Sequence, residues 1–221
     1  EKTSEILTEL DEDVREKILK ALSVKEIADE IEELDSDDAA DILGELSEKR
    51  KEEVISEISD NNLADDLKEL LSYKEDSAGG LMAKELVHAN ENWSITKCLN
   101  EIKKQGENVT RVHSIYVVDN KQKLIGRLSL KDLIISPAKN LIKDIYIPKV
   151  DSVNVYEDGE EVAKIMSKYD LEAIPVVDNN KKLVGRITID DIVDFIKEEA
   201  EEDYLLAAGV QGDVEADDSI L

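Results

Sequence analysis

The chain has 221 residues, of which 54 are Asp or Glu and 28 are Lys or Arg, for a formal net charge of −26. That balance argues against nucleic acid as a partner and against polybasic attachment to anionic lipid; it favours divalent cations or a basic protein. Hydrophobic residues make up 41% and aromatic ones 4%, so cores must be built from Ile, Leu, Val and Ala, and the single Cys98 excludes an intramolecular disulfide framework.

No apolar run approaches the ~18 residues of a membrane helix, so the chain is expected to be soluble. Its start at Glu1-Lys2 without Met reads as a piece of a longer protein. The charge is uneven. Residues 1–80 carry 27 acidic and 10 basic side chains, residues 81–189 carry 15 and 17, and residues 190–221 carry 12 and 1. A nearly neutral middle is flanked by two acidic ends, which repel unless something neutralises them. Plain solubility would explain acid runs in tails, but both acidic regions also have helical patterning.

The first 80 residues repeat every twelve. Leu10, Leu22, Leu34, Leu46, Ile58 and Leu70 recur at that period, and three places before each stands Leu7, Leu19, Ile31, Leu43, Ile55 or Leu67. An i, i+3 apolar pair is one stripe of a helix. Asp11, Ser23, Asp35, Ser47 and Ser59 follow five of the six repeats as N-caps, with acids behind several of them that suit the helix dipole. The pattern predicts short helices of two to three turns that stop and restart, stacked as a superhelix. A single coiled coil fits less well, because the period is twelve rather than seven. The segment Tyr73–Met82, reading Tyr-Lys-Glu-Asp-Ser-Ala-Gly-Gly-Leu-Met, has a Gly pair that reads as a helix stop and domain boundary.

The next region is duplicated with an offset of 59 residues. Ile115–Asp132 aligns with Ile174–Asp191, with ten of eighteen positions identical. Each copy reads strand, Asp-Asn turn, strand, then a helix opening after Ser129 or Thr188. Amphipathic helices at roughly 94–105 and 157–168 precede the copies, with short extended pieces near Val87 and Val153 before them.

This β-α-β-β-α pattern resembles the CBS domain, and two copies make a CBS pair over about 82–198. The acidic repeats and the Tyr73–Met82 segment, placed just before such a pair, resemble one family specifically, the MgtE magnesium channels. The resemblance implies a multidomain α and α/β fold: an all-α superhelical N-terminal domain of short helices (1–80), CBS motif 1 (81–136), CBS motif 2 (137–200) and a tail leading towards a connecting helix (201–221). It implies a cytosolic Mg²⁺-sensing region on the inner face of the cell membrane, covalently continuous with a transmembrane pore that this chain lacks. It also implies a homodimer through the CBS motifs.

In that family the cytosolic sites lie between the helical domain and the second CBS motif, and near the connecting helix. Motif by motif, the resemblance places Glu5 in the first repeat, Asp37, Asp38 and Asp41 in Asp-Asp-Ala-Ala-Asp, Glu160 at the start of the helix of motif 2 and Asp170 at its end. Asp191 and Asp194 fall on the last CBS helix, with Glu199, Glu202 and Asp203 beyond it. Spacing supports part of this set independently: Asp37 and Asp41 are i, i+4, and Asp191 and Asp194 are i, i+3, so each pair shares a helix face. Mg²⁺ keeps several waters and needs only one or two carboxylates from the protein. For any single acid, a solvated helix face is the competing reading. His88 and His113 are isolated, and Cys98 reads as packing.

Many CBS pairs bind an adenine nucleotide through Gly-x-x-Ser/Thr-x-x-Asp. Here both copies stand: Gly126, Ser129 and Asp132, and Gly185, Thr188 and Asp191. Ser129 and Thr188 could equally be helix N-caps, and the positions expected to flank a base, Ser114 and Leu171, are not aromatic. Asp191 belongs to both the metal and the nucleotide readings. A nucleotide-sensing module would leave the acidic arm unexplained; a scaffold for a basic partner would leave the CBS half idle. No phosphate-binding Gly loop, nucleophile–base pair or His cluster suggests an enzyme.

Overall fold

The computed structural model describes residues 2–109 and 111–207. Six short helices come first: α1 Lys2–Thr8, α2 Glu12–Ala21, α3 Val24–Ile31, α4 Ser36–Gly44, α5 Glu48–Glu57 and α6 Asn61–Leu70. Their starts follow the twelve-residue period. Asp11, Ser23, Asp35 and Ser47 stand at the N-cap positions of α2 to α5. The cap of α6 is Asp60, one residue past Ser59, and its side chain accepts the Asn62 N–H at 2.8 Å. Ser59 instead donates its backbone N–H to the Glu32 carboxylate.

Helices this short are marginal alone in water, so packing must hold them. The first residue of each apolar pair, Leu7, Leu19, Ile31, Leu43, Ile55 and Leu67, is buried without exception. Each contributes roughly 1.5–3 kcal/mol relative to exposure. α1 packs on α3, α3 on α5, α4 on α6 and α5 on α6, so the stack is built mostly from next-nearest neighbours. Two arginines reach back to carbonyls at the ends of earlier helices. Arg50 donates through Nη2 to the carbonyls of Leu19 (2.8 Å) and Leu22 (2.5 Å) at the end of α2. Arg15 donates to the carbonyls of Leu7 and Thr8 at the end of α1 while pairing with Glu45.

The α/β half follows: β1 Val87–Asn90, α7 Ile95–Gln105, β2 Ile115–Val118, β3 Leu124–Leu128 and α8 Leu130–Ile135 form motif 1, and β4 Ile147–Pro148 leads to motif 2. Motif 2 repeats the order with β5 Val153–Asn154, α9 Gly159–Tyr169, β6 Ala173–Val177, β7 Leu183–Thr188 and α10 Ile189–Ala207. In each motif the first strand runs parallel to the second, and the second antiparallel to the third. Each sheet is edged by the segment that precedes the other motif: Ile147 and Pro148 pair with Arg127 and Gly126 on β3, and Ala83 pairs with Arg186 on β7. The two β-turns also meet, through Lys123 and Lys182.

The segment after α6 does more than end a helix. Helix α6 stops at Leu70, well before the Gly pair. Residues 76–83 are threaded onto motif 2: Ala78 and Gly79 donate backbone N–H bonds to Glu157 and Val155 (2.8 Å each), and Gly159 donates to Asp76 (2.8 Å). Glycine is required at 79 because an added Cβ would lie 2.5 Å from the Tyr73 ring, and that ring meets Tyr156 edge-on at 6.1 Å. Met82 and Ala78 are wholly buried and join the helical arm and motif 2 into one hydrophobic core, whereas motif 1 keeps a separate core around Val87, Cys98 and Leu133. The arm is thus fused to the more distant motif in sequence. Among the described residues no helix is long and apolar enough to cross a membrane.

Candidate metal centre between the arm and motif 2

The site starts at the first turn of α4. Asp35 occupies the N-cap position, but its side chain makes no cap bond. Glu85 does that work from the linker: one of its oxygens accepts the Ser36 backbone N–H (3.1 Å) and the Ser36 hydroxyl (2.8 Å), while Ser36 Oγ accepts the Lys84 N–H (2.8 Å). A carboxylate suits that helix end because the unpaired N–H groups and the dipole favour negative charge. Asp35, released from capping, approaches Arg186 Nη2 at 3.6 Å. Arg186 also donates through Nε to the Glu85 carbonyl at 2.6 Å. One oxygen from each of Asp35, Asp37 and Glu85 lies within 4.8 Å of the other two.

Helix α10 supplies the opposite wall. The charges of Asp191 and Asp194 raise the pKa of α4 acids, as does that of Glu198. Asp37 is held well above the usual carboxylate range, by burial first and then by Asp191 and Asp38. Asp38 is pushed up to about 6, by burial and then by Asp35, Asp191 and Asp194. Asp41 is pushed up to about 7, by burial and then by Asp38, Glu198 and Glu75. Asp38 and Asp41 are exposed at their surfaces even so, so the acidic seam is open to solvent. Asp35 is raised too, by burial and Glu85, with Arg186 opposing.

Asp37 and Asp38 thus lie within the field of Asp191, Asp38 also within that of Asp194, and Asp41 within that of Glu198. Asp191 Oδ2 accepts the Thr188 N–H (2.7 Å) and Thr188 Oγ1 accepts the Asp191 N–H (3.4 Å), a reciprocal cap on α10. Asp194 pairs with Lys197 at 2.6 Å. Glu160 pairs with Lys164 along α9 at 3.3 Å, and Asp170 ends α9 with left-handed backbone, φ 52°. Neither of these two is among the groups that raise the α4 acids. Asp203 lies on α10, roughly 13 Å along the helix axis beyond Asp194. Glu199 lies between them on the same helix. The side chains of Glu5 and Glu202, and residues 208–221 of the tail, lie outside the described residues.

Besides Glu75, four further contributors escaped the sequence reading. Asp35 looked like an ordinary N-cap, Glu85 was a lone linker acid, Glu198 stood in a charged run, and Arg186 shared its Gly-Arg pair with Arg127. All donors in the seam are hard carboxylate oxygens, which fit Mg²⁺ or Ca²⁺ and not a soft metal. Oxygens around one Mg²⁺ sit ~3–4.2 Å apart, so the Asp35–Asp37–Glu85 group fits an ion after a slight contraction or through bound water.

On the nucleotide side, Thr188 is committed to its cap, while Ser129 makes no side-chain cap bond at the start of α8. A narrow crevice lined by His113, Ser114, Tyr116 and Arg186 opens beside motif 1. Tyr116 Oη and His113 Nδ1 are buried there without a protein hydrogen-bond partner.

Residues 1–76 match the family model described as MgtE intracellular N domain, and residues 78–138 and 142–198 match that of the CBS domain. The magnesium transporter MgtE of Thermus thermophilus is 41% identical over 131 residues, 59% of this chain and 29% of that protein. That of Enterococcus faecalis is 39% identical over 140 residues, 63% of this chain and 31% of that protein. The chain thus matches under a third of the length of these relatives. Among solved structures, the cytosolic domain of the Mg²⁺ channel MgtE in complex with ATP aligns with TM-score 0.80 at 34% identity, covering 87% of this chain and 78% of that one. The soluble part of a magnesium transporter aligns with TM-score 0.71 at 32% identity, covering 89% and 87%.

Proposed function

Because the chain belongs to the MgtE magnesium transporter family, carrying its N domain and CBS pair, we propose that it is the Mg²⁺-sensing part of such a transporter. In this reading it works on the cytoplasmic face and is covalently continuous with a pore-forming membrane part; it regulates and does not catalyse. Mg²⁺ enters the seam between α4 and α10, offsets the repulsion between their acids and holds the arm on motif 2. That docked state corresponds to a closed pore. The observation that carries the reading is the set of raised carboxyl groups on α4 facing Asp191, Asp194 and Glu198 across the seam. Like charges held together at this cost are what a bridging cation would relieve, and a ligand that binds the docked form better must shift the population towards it. Asp37, Asp38, Asp41, Asp191 and Asp194 are the proposed ligands.

The test is small-angle scattering during a Mg²⁺ titration, with NaCl of matched ionic strength as control. The radius of gyration should fall with Mg²⁺ and not with NaCl. An envelope unchanged by Mg²⁺ would refute the reading. A second reading, adenine nucleotide beside motif 1, is favoured by Tyr116 Oη, buried without a protein hydrogen-bond partner, by Ser129, whose side chain makes no cap bond, and by the ATP bound in a structural relative. The crevice would have to widen. A scattering change with ATP and none with Mg²⁺ would favour it.

We also propose that the partner is a second copy of this chain, docked on the last helices of the two motifs. Leu130, Ile134 and Ile135 on α8 are 49%, 66% and 69% exposed, and Val193 and Ile196 on α10 are 42% and 48% exposed. Ile134 and Val193 are related by the 59-residue duplication, so exposed apolar residues recur on equivalent helices and form a patch that two copies can bury against each other. Ile134→Glu with Ile135→Glu should convert a dimer to a monomer in sedimentation velocity. A monomeric parent chain, or a variant that stays dimeric, would refute the assignment.

A further inference from the structure

The acid seam contains a cation that the chain supplies itself. Arg186 is fixed at its backbone, where it exchanges two hydrogen bonds with Ala83 (2.8 and 2.9 Å). Its side chain is 8% exposed. From that position one guanidinium reaches three parts of the molecule: it starts on β7 of motif 2, donates to the Glu85 carbonyl of the linker at 2.6 Å, and faces Asp35 of the arm at 3.6 Å. The neighbouring Lys84 is turned away to Glu69 (2.9 Å), and Arg127, its counterpart in motif 1, is exposed. The planar, permanently charged fork of Arg allows this double use, which a lysine would reproduce only in part.

We propose that Arg186 is a resident latch, a positioning residue whose charge holds the arm on motif 2 before any divalent cation binds. By fixing the Glu85 backbone, it also keeps that carboxylate against α4. The second half of the proposal rests on the Mg²⁺-sensing reading; the first half does not. Asp35 is the anion that the latch grips, and Asp37 and the α10 acids are left for the metal. The arm then has a weak dock that Mg²⁺ strengthens.

The test is a double-mutant cycle on nitroxide-labelled protein, with labels at Lys49→Cys and Lys182→Cys; Cys98 is buried and stays unlabelled. Arm-to-motif distances are read by pulsed electron resonance in EDTA. Arg186→Gln should shift the distribution to longer separations. In an Asp35→Asn background the same change should have a smaller effect, because the charge it neutralises is gone. Arg186→Lys should fall between the parent and Arg186→Gln, and it carries the comparison if the glutamine variant fails to fold. The Mg²⁺ midpoint of Arg186→Gln should rise about tenfold, equivalent to ~1.4 kcal/mol. Equal effects in both backgrounds, or no change in metal-free distance, would overturn the latch. A parent chain that ignores Mg²⁺ but shows the coupled metal-free shifts would overturn Mg²⁺ sensing and leave the latch standing.

Discussion

Asp37→Asn combined with Asp41→Asn should leave the arm docked with or without Mg²⁺. Both side chains carry raised pKa values, caused first by burial and then by neighbouring acids. In the metal-free protein at neutral pH they therefore push the arm away from α10. Both carboxylates keep some solvent contact, so after screening each repulsive pair is worth only roughly 1–2 kcal/mol. A docking equilibrium shifts by a factor of about 5–30 for such an energy. Asparagine keeps the helix and the shape while removing the charge. In scattering experiments the double variant in EDTA should already have the radius of gyration that the parent reaches only with Mg²⁺, and added Mg²⁺ should change it little. A double variant that responds to Mg²⁺ like the parent would show these acids to be ordinary surface. The expected behaviour is opposite to that of Arg186→Gln, because one change removes an unpaired anion and the other removes the cation that pairs with one.

Acid should imitate the metal. Asp38 at about 6 and Asp41 at about 7 lie above the ordinary Asp value of 3.8, so the docked form binds more protons than an open form in which these groups stand in water. Stability of the docked form therefore increases as pH falls through 7 and 6, and is lost as pH rises through the same window. Metal-free protein moved from pH 8 to pH 5.5 should contract. Mg²⁺ binding near pH 6.5 should release protons, detectable by calorimetry in buffers of different ionisation enthalpy. His88 and His113, both lowered by burial, sit in motif 1. Expansion on acidification, or Mg²⁺ binding without proton release, would contradict the assignment.

The features legible from sequence were those whose cause is local. The arm could be read because a cap and an i, i+3 apolar pair recur within one twelve-residue unit, and the CBS pair because one motif is written twice. Asp37 with Asp41, and Asp191 with Asp194, could be paired because helical spacing alone puts each pair on one face. What joins those pairs was not legible. The carboxylate that caps α4 comes from Glu85, 49 residues from Ser36, and displaces Asp35 from the capping role its position suggests. Arg186 and Arg127 occupy the same place in the same motif, yet one is buried and the other exposed, since only Arg186 has the linker and arm folded over it. The shift from Ser59 to Asp60 has the same origin: Glu32, 27 residues away, holds the Ser59 backbone.

The exchanged sheet edges have a consequence during synthesis. Arg186 bonds a carbonyl 101 residues earlier in the chain, and Met82 and Ala78 are covered only by a core that includes motif 2. A chain leaving the ribosome N-terminus first exposes the arm and motif 1 while that cover is still unmade. During this interval the apolar stripe of the arm is open to association with other nascent chains. The net charge of −17 on residues 1–80 opposes such contacts by mutual repulsion. The carboxylates that strain the finished seam thus also act as gatekeepers against aggregation before the molecule is complete.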